Sequence, residues 1–150
     1  MFDQTALADE AARAPRRAAV DDAPAAASRL DWLYLEACRL LLRHLGDTGY
    51  GVPQLVSELQ ASRPTVYRAF ARHGATVAGR QRELRLMKVR ELLAQPPFRT
   101  PIETLAWRCG FEDVRTFSRC FRRQFGVSAG AYRAQVLARV VTGEIAAEIA

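Results

Sequence analysis

The chain has 150 residues and a mass of 16.7 kDa, with 22 basic against 16 acidic side chains, a formal charge of +6 and a pI near 9.9. That is the length of one ordinary domain, and 49% hydrophobic content is enough for a packed core, which excludes wholesale disorder. No apolar run approaches the roughly 18 residues of a membrane span, and Cys38, Cys109 and Cys120 lack the spacing of a disulfide framework or a zinc site.

Residues 1–27 are rich in Ala and charge, carry Pro15 and Pro24, and show no apolar stripe. They read as a flexible lead-in with a frayed helix around Thr5–Ala14. No basic-then-apolar signal pattern opens the chain, so a reducing, cytoplasmic setting is expected. From Ser28, with Ser28–Asp31 as a candidate capping box, Leu30, Leu33, Tyr34, Ala37, Cys38, Leu41 and Leu45 recur at helical spacing. The run from Gly46 to Gly51 stops that helix. Pro53 then opens a short helix with Leu55, Val56 and Leu59 as its apolar positions. Ser62 is a good N-cap for the next helix, with Val66, Ala69, Phe70 and His73 inside and Gly74 at the end.

Thr76 caps a longer helix to about Gln95, with Leu84, Leu86, Val89, Leu92 and Leu93 to bury, and Pro96-Pro97 ends it. Thr100-Pro101-Ile102-Glu103 reads as a capping box with Pro in the first turn, ahead of Leu105, Ala106 and Cys109. Asp113 caps a further helix with Phe117, Cys120, Phe121 and Phe125 inside, and Gly126 closes it. Ser128 caps a last helix through Tyr132 and Val136, and the tail from Leu137, with Val140, Val141, Ile145 and Ile149, either extends that helix or meets a partner. No stretch reads as a strand. Trp32 and Trp107 are expected at packing or rim positions.

An internal repeat organises these elements. Val52, Leu55, Val56 and Leu59 match Ile102, Leu105, Ala106 and Cys109 at an offset of 50, and Ser62, Val66, Arg68 and Phe70 match Asp113, Phe117, Arg119 and Phe121 at 51. Each copy is a short helix, a tight turn and a capped second helix, which is a helix-turn-helix. Charge follows the repeat: residues 61–125 hold 14 basic and five acidic side chains, whereas the rest of the chain is net acidic. Every basic residue but Lys88 is arginine, the side chain suited to forked recognition of phosphate and guanine. A polyanion is the expected target.

Outward stripes then follow from helical spacing. In the first unit they are Pro64, Tyr67, Arg68, Ala71 and Arg72; in the second, Val114, Arg115, Ser118, Arg119 and Arg122. Arg68 suits guanine O6 and N7, Tyr67 suits a thymine methyl or one hydrogen bond, and Arg115 and Arg119, four apart, suit neighbouring base pairs. Arg63, Arg72, Arg122 and Arg123 stand at helix starts or ends, where phosphate contacts set register, and the N–H groups at Ser62 face the same way. The carboxylate of Asp113 marks that residue as a cap only. A central helix over residues 76–95 would span about 30 Å, close to the roughly 34 Å between successive major-groove faces. One chain then reaches two groove segments without a dimer.

Ser62-Arg63-x-x-Val66-x-Arg68-x-Phe70, Arg85-Leu86-x-x-Val89-x-x-Leu92-Leu93, the run Gly110-Phe111-x-Asp113-x-x-x-Phe117-Ser118-Arg119-x-Phe121-x-x-x-Phe125-Gly126, and Tyr132-Arg133 together resemble the DNA-binding domain of the AraC/XylS bacterial transcription regulators. The resemblance covers about residues 30–135. It implies an all-α fold of two homeodomain-like helix-turn-helix subdomains joined by a long central helix. The domain expected is 30–136, with units at about 52–74 and 101–126, a linking helix at about 76–95, a flexible segment over 1–29 and a tail over 137–150. Base-contacting positions are implied at Pro64, Tyr67, Arg68, Val114, Arg115, Thr116 and Arg119, and phosphate contacts are expected from Ser62, Arg63, Arg72, Arg122 and Arg123.

The implied partners are double-stranded DNA and RNA polymerase, with the chain monomeric on DNA, acting as an activator or other regulator and using no cofactor, metal or small-molecule site. No catalytic constellation is present: there is no phosphate loop, HExxH or Gly-x-Ser-x-Gly, and His44 and His73 lack metal-like partners. An enzyme is therefore not expected. Two other readings stay open: an interaction protein that binds polymerase or a sibling regulator, and the C-terminal piece of a longer ligand-sensing regulator.

The chain departs from the pattern at Gln60, where Gly is usual, at Arg80, where an aromatic is usual, and at Ala129, which replaces a Pro. Gln60 is either left-handed and strained, as the resemblance places it, or right-handed in a turn one residue shorter. The strained form is the expectation.

Overall fold

The computed structural model describes residues 23–143, which form seven helices and no strand. They are α1 (Ala23–Arg43), α2 (Val52–Leu59), α3 (Arg63–Arg72), α4 (Val77–Leu93), α5 (Ile102–Arg108), α6 (Val114–Phe125) and α7 (Ala129–Val141). The expected helix at Thr5–Ala14 and the tail positions Ile145 and Ile149 lie outside the described residues.

Two cores share the central helix. Ala37, Leu40 and Leu41 of α1, Tyr50, Leu55 of α2, Val66 and Phe70 of α3, and Val77 and Leu84 of α4 make the first. Leu86, Val89 and Leu93 of α4, Leu105 and Ala106 of α5, Cys109, Phe117 and Phe121 of α6, and Ala129 make the second. Phe70 of the first unit and Phe121 of the second are fully buried at equivalent places, as is Phe117 where the first unit has Val66, and each phenylalanine is worth about 1.5–3 kcal/mol of apolar burial. The helix-turn-helix pairs are α2–α3 and α5–α6, and α4 is the long helix between them.

Several caps form as the sequence predicts. The side chain of Ser62 accepts from Thr65 N, Thr76 from Gly79 N, Asp113 from Arg115 N and Thr116 N, and Ser128 from Ala131 N. Other expectations are corrected. Helix α1 begins at Ala23, ahead of Ser28, because the alanines Ala23 and Ala25–Ala27 are strong helix formers and carry the helix through the expected cap. The box at Thr100–Glu103 does not form. Pro101 itself is the N-cap without a side-chain bond, which leaves Glu103 one position short of the reach a capping box needs. The Thr100 hydroxyl donates instead to Pro97 O at 3.3 Å.

The central helix ends at Leu93 rather than Gln95. Its 17 residues span about 25 Å, shorter than the expected 30 Å. Trp32 and Trp107 stand on the surface, 58% and 71% exposed, and pack into neither core. His44 lies in the turn just after α1, stacked on Tyr50 with ring centroids 4.1 Å apart.

Candidate nucleic-acid interface

Each second helix of a pair buries one face and exposes the other. In α3, Val66, Ala69 and Phe70 are buried, while Arg63, Pro64, Tyr67, Arg68, Ala71 and Arg72 are exposed. In α6, Phe117 and Phe121 are buried, while Val114, Arg115, Ser118, Arg119, Arg122 and Arg123 are exposed. Tyr67 is 47% and Val114 42% exposed, so two apolar groups stand among cations at the helix starts. Among the described residues, no carboxylate is ion-paired to Arg63, Arg68, Arg115, Arg119, Arg122 or Arg123.

Two candidates are held differently. Thr116 is half-buried, and its hydroxyl donates to Asp113 Oδ2 at 2.5 Å. That hydroxyl and the backbone N–H groups of Thr116 and Arg115 hold the Asp113 carboxyl below the usual carboxylate range. Asp113 is thus engaged by its own helix. Arg72 donates from Nε to Asp31 Oδ1 at 2.8 Å, and His73 Nε2 lies 3.0 Å from the same oxygen. Arg72, then His73, hold the Asp31 carboxyl below its usual range, although the three side chains stay partly exposed. Arg72 therefore has a carboxylate partner on α1 that a phosphate would have to displace. Arg68 Nη2 lies 3.4 Å from the Thr65 hydroxyl, which inclines it along its own helix.

The turns within the two pairs are built alike. Gln60 N donates to Ser57 O and Ala61 N to Val56 O; Gly110 N donates to Trp107 O and Phe111 N to Ala106 O. Gln60 is left-handed at φ 50° and ψ 37°, so the strained form is the observed one. Gly51 N donates to Gln54 Oε1 at 3.0 Å, tying down the start of α2.

The profile of a helix-turn-helix domain family matches residues 55–135, more than half of the chain and both helix pairs. The chain belongs to the AraC-type helix-turn-helix family. It carries the DNA-binding helix-turn-helix domain of these transcription regulators. It is 40% identical over 67 residues to the uncharacterized HTH-type transcriptional regulator YpdC of Escherichia coli strain K12, a match covering 44% of this chain and 23% of that protein. It is 28% identical over 100 residues to the arabinose operon regulatory protein of the same organism, covering 66% and 34%. The chain thus spans about a quarter to a third of the length of these two relatives. The crystal structure of a transcriptional regulator with an AraC-type DNA-binding domain from Chromobacterium violaceum has the same fold, with a TM-score of 0.66 at 24% identity, covering 73% of this chain and 96% of that one.

Other side chains of this AraC-type chain have structural roles that the sequence does not show, because their partners are far away in the chain. Arg133 Nη1 donates to Phe98 O at 2.8 Å and Thr100 O at 2.7 Å, bracing the α4–α5 loop on α7. Arg90 lies over the rings of Phe125 and Tyr132, 5.0 and 5.5 Å from their centroids. The Tyr132-Arg133 pair of the family pattern was the visible signal for the first of these. Arg80, where the family usually has an aromatic, is half-buried and pairs with Glu83 at 2.5 Å. Burial pushes the Cys109 thiol up to about 11, so it is an inert core residue. No helix among the described residues is long and apolar enough to cross a membrane.

Proposed function

We propose that the chain binds double-stranded DNA sequence-specifically, as a monomer, and regulates transcription. The observation that carries this reading is the duplicated construction of α3 and α6: a buried apolar stripe that includes Phe70 in one and Phe121 in the other, a side-chain N-cap and an exposed arginine stripe on each. Helix α3 reads one major-groove segment with Pro64, Tyr67 and Arg68, and α6 reads the next with Val114, Arg115, Thr116 and Arg119. Arg63, Arg122 and Arg123, with the N–H groups at Ser62, hold phosphates; Arg72 does so when released from Asp31. In this reading the DNA-binding domain is residues 30–136, and contact with RNA polymerase and a cytoplasmic, non-enzymatic role belong to the same proposal.

Footprinting on duplexes selected from a random pool tests this. The expected result is protection of two segments about one helical turn apart on a non-palindromic site, by monomer, with affinity falling steeply in salt. Protection of a single segment, or protection by dimers only, overturns the bipartite reading. Failure to select any duplex favours the interaction-protein reading instead.

A further inference from the structure

The two units meet at the loop that follows α1, and Arg85 of α4 reaches into it. Helix α1 belongs to the first core, yet Leu45, just beyond its end, packs against the second. The chain then returns to the first core through Tyr50 and Leu55. The crossing loop lies against α4 where that helix itself changes cores, Leu84 facing the first and Leu86 the second. Arg85 stands between them. Its Nε donates to Leu45 O at 3.1 Å and its Nη2 to Asp47 O at 3.2 Å.

Backbone from the second unit closes on the same point. A Cβ on Gly110 would lie 2.5 Å from Leu45 O and 2.7 Å from Arg85 Nε, and one on Gly46 would lie 2.6 Å from Arg108 O. Gln81, one turn before Arg85, donates to Tyr50 O at 2.8 Å. The crossing loop is thus gripped by α4 on one side and by the α5–α6 turn on the other.

We propose that Arg85 is the positioning residue that fixes the two recognition helices relative to each other, and so sets the base-pair spacing between half-sites that the chain accepts. This rests on the DNA-reading function proposed above. A planar guanidinium holding two carbonyls of one loop fixes the loop's direction as well as its distance. A single-point donor leaves it free to swivel. Without the fork, the first unit rocks on α4, and the chain adapts to spacings that the locked form rejects.

The test uses the full chain and a duplex selected from a random pool. One or two base pairs are inserted between the two protected segments; each adds about 3.4 Å and rotates one half-site by about 35°. Dissociation constants are measured for the wild type, Arg85→Met, Arg85→Lys and Gln81→Leu. Wild type is expected to lose about tenfold or more per inserted pair, the order of a DNA distortion cost. Arg85→Met is expected to flatten that ratio to about threefold, and Arg85→Lys, with one donor group, to fall between. The ratio is internal to each protein, so a general loss of stability does not move it. Should Arg85→Met fail to fold, Arg85→Lys and Gln81→Leu, which loosen the same joint, must still relax the spacing ratio. Spacing ratios equal to wild type in the folded variants overturn the proposal, as does a wild type indifferent to spacing, and both leave DNA reading intact. A pool that yields no preferred sequence brings down the DNA-reading function itself, and Arg85's role with it.

Discussion

Gln60 and Gly110 occupy the same left-handed corner of two successive helix-turn-helix units, at φ 50° and φ 89°. Each turn closes with the same pair of backbone bonds, one spanning three residues and one spanning five. The chemistry at the two corners nevertheless differs. Gln60 is exposed, so its Cβ has room, and its cost is the backbone conformation alone. Gly110 is buried against Leu45 O and Arg85.

Gln60→Gly is expected to stabilise the domain. The left-handed cost is about 1–2 kcal/mol, and the extra unfolded-state freedom of Gly returns about 0.4–1 kcal/mol of it. The net gain of about 0.5–1 kcal/mol raises Tm by about 2–6 °C. Thermal unfolding followed by circular dichroism checks this. A lower Tm would mean that Gln60 bears no strain.

Gly110→Ala acts in the opposite direction at the equivalent corner. The added methyl meets backbone at 2.5 Å and the Arg85 guanidinium at 2.7 Å, in a conformation already unfavourable to L residues. Left-handed strain and overpacking together cost about 2–4 kcal/mol. Denaturant unfolding is expected to show a midpoint lowered accordingly, whereas Gly74→Ala, with nothing within 4 Å of its Cβ, bears the backbone term alone.

What the sequence made legible is what is local. Caps at Ser62, Thr76, Asp113 and Ser128 are decided within three residues, and each forms. The repeat fixed the equivalence of Gln60 with Gly110, because both sit at the same step of the same motif. The failures have physical causes too. Two helix starts, at Ala23 and Ile102, moved because alanine propensity overran one candidate cap and Pro101 took the place of another. The contacts of Asp31 with Arg72 and of Arg85 with Leu45 and Asp47 join residues some 40 positions apart, and no periodicity encodes them. Arg72 shows what that hides: its place at a helix end marks it for phosphate, while the fold gives it a carboxylate.

Asp31→Asn tests that carboxylate. The Arg72 guanidinium holds the Asp31 carboxyl below its usual range in the folded chain. A lowered folded-state value stabilises above the unfolded value and is lost as pH falls through the folded one. The Tm difference between wild type and variant is therefore expected at pH 6 and expected to shrink below about pH 4. Released from its partner, Arg72 is expected to bind duplex more readily, steepening the salt dependence by about one phosphate contact. An unchanged salt slope would assign Arg72 to holding α1 against α3 and nothing more.

Arg119 and Arg123 lie on the same helix and are both exposed, yet they are expected to fail in different ways. Arg119 lies one turn after Arg115, on the stripe that faces base edges in the reading above, and its fork matches guanine O6 and N7. Arg119→Ala is therefore expected to cost about 1–3 kcal/mol on the selected duplex, and to relax choice at one base pair. Arg68→Ala is expected to do the same in the other half-site. Arg123 stands in the last turn of α6, where a side chain reaches backbone phosphate rather than bases. Arg123→Ala is expected to weaken selected and random duplexes by the same factor, and to lower the salt slope by about one. Binding measured on both duplexes across a salt series separates the two patterns. Equal losses on both duplexes for Arg119→Ala would move it from the base edges to the phosphates, leaving Arg115 as the reader of the second segment.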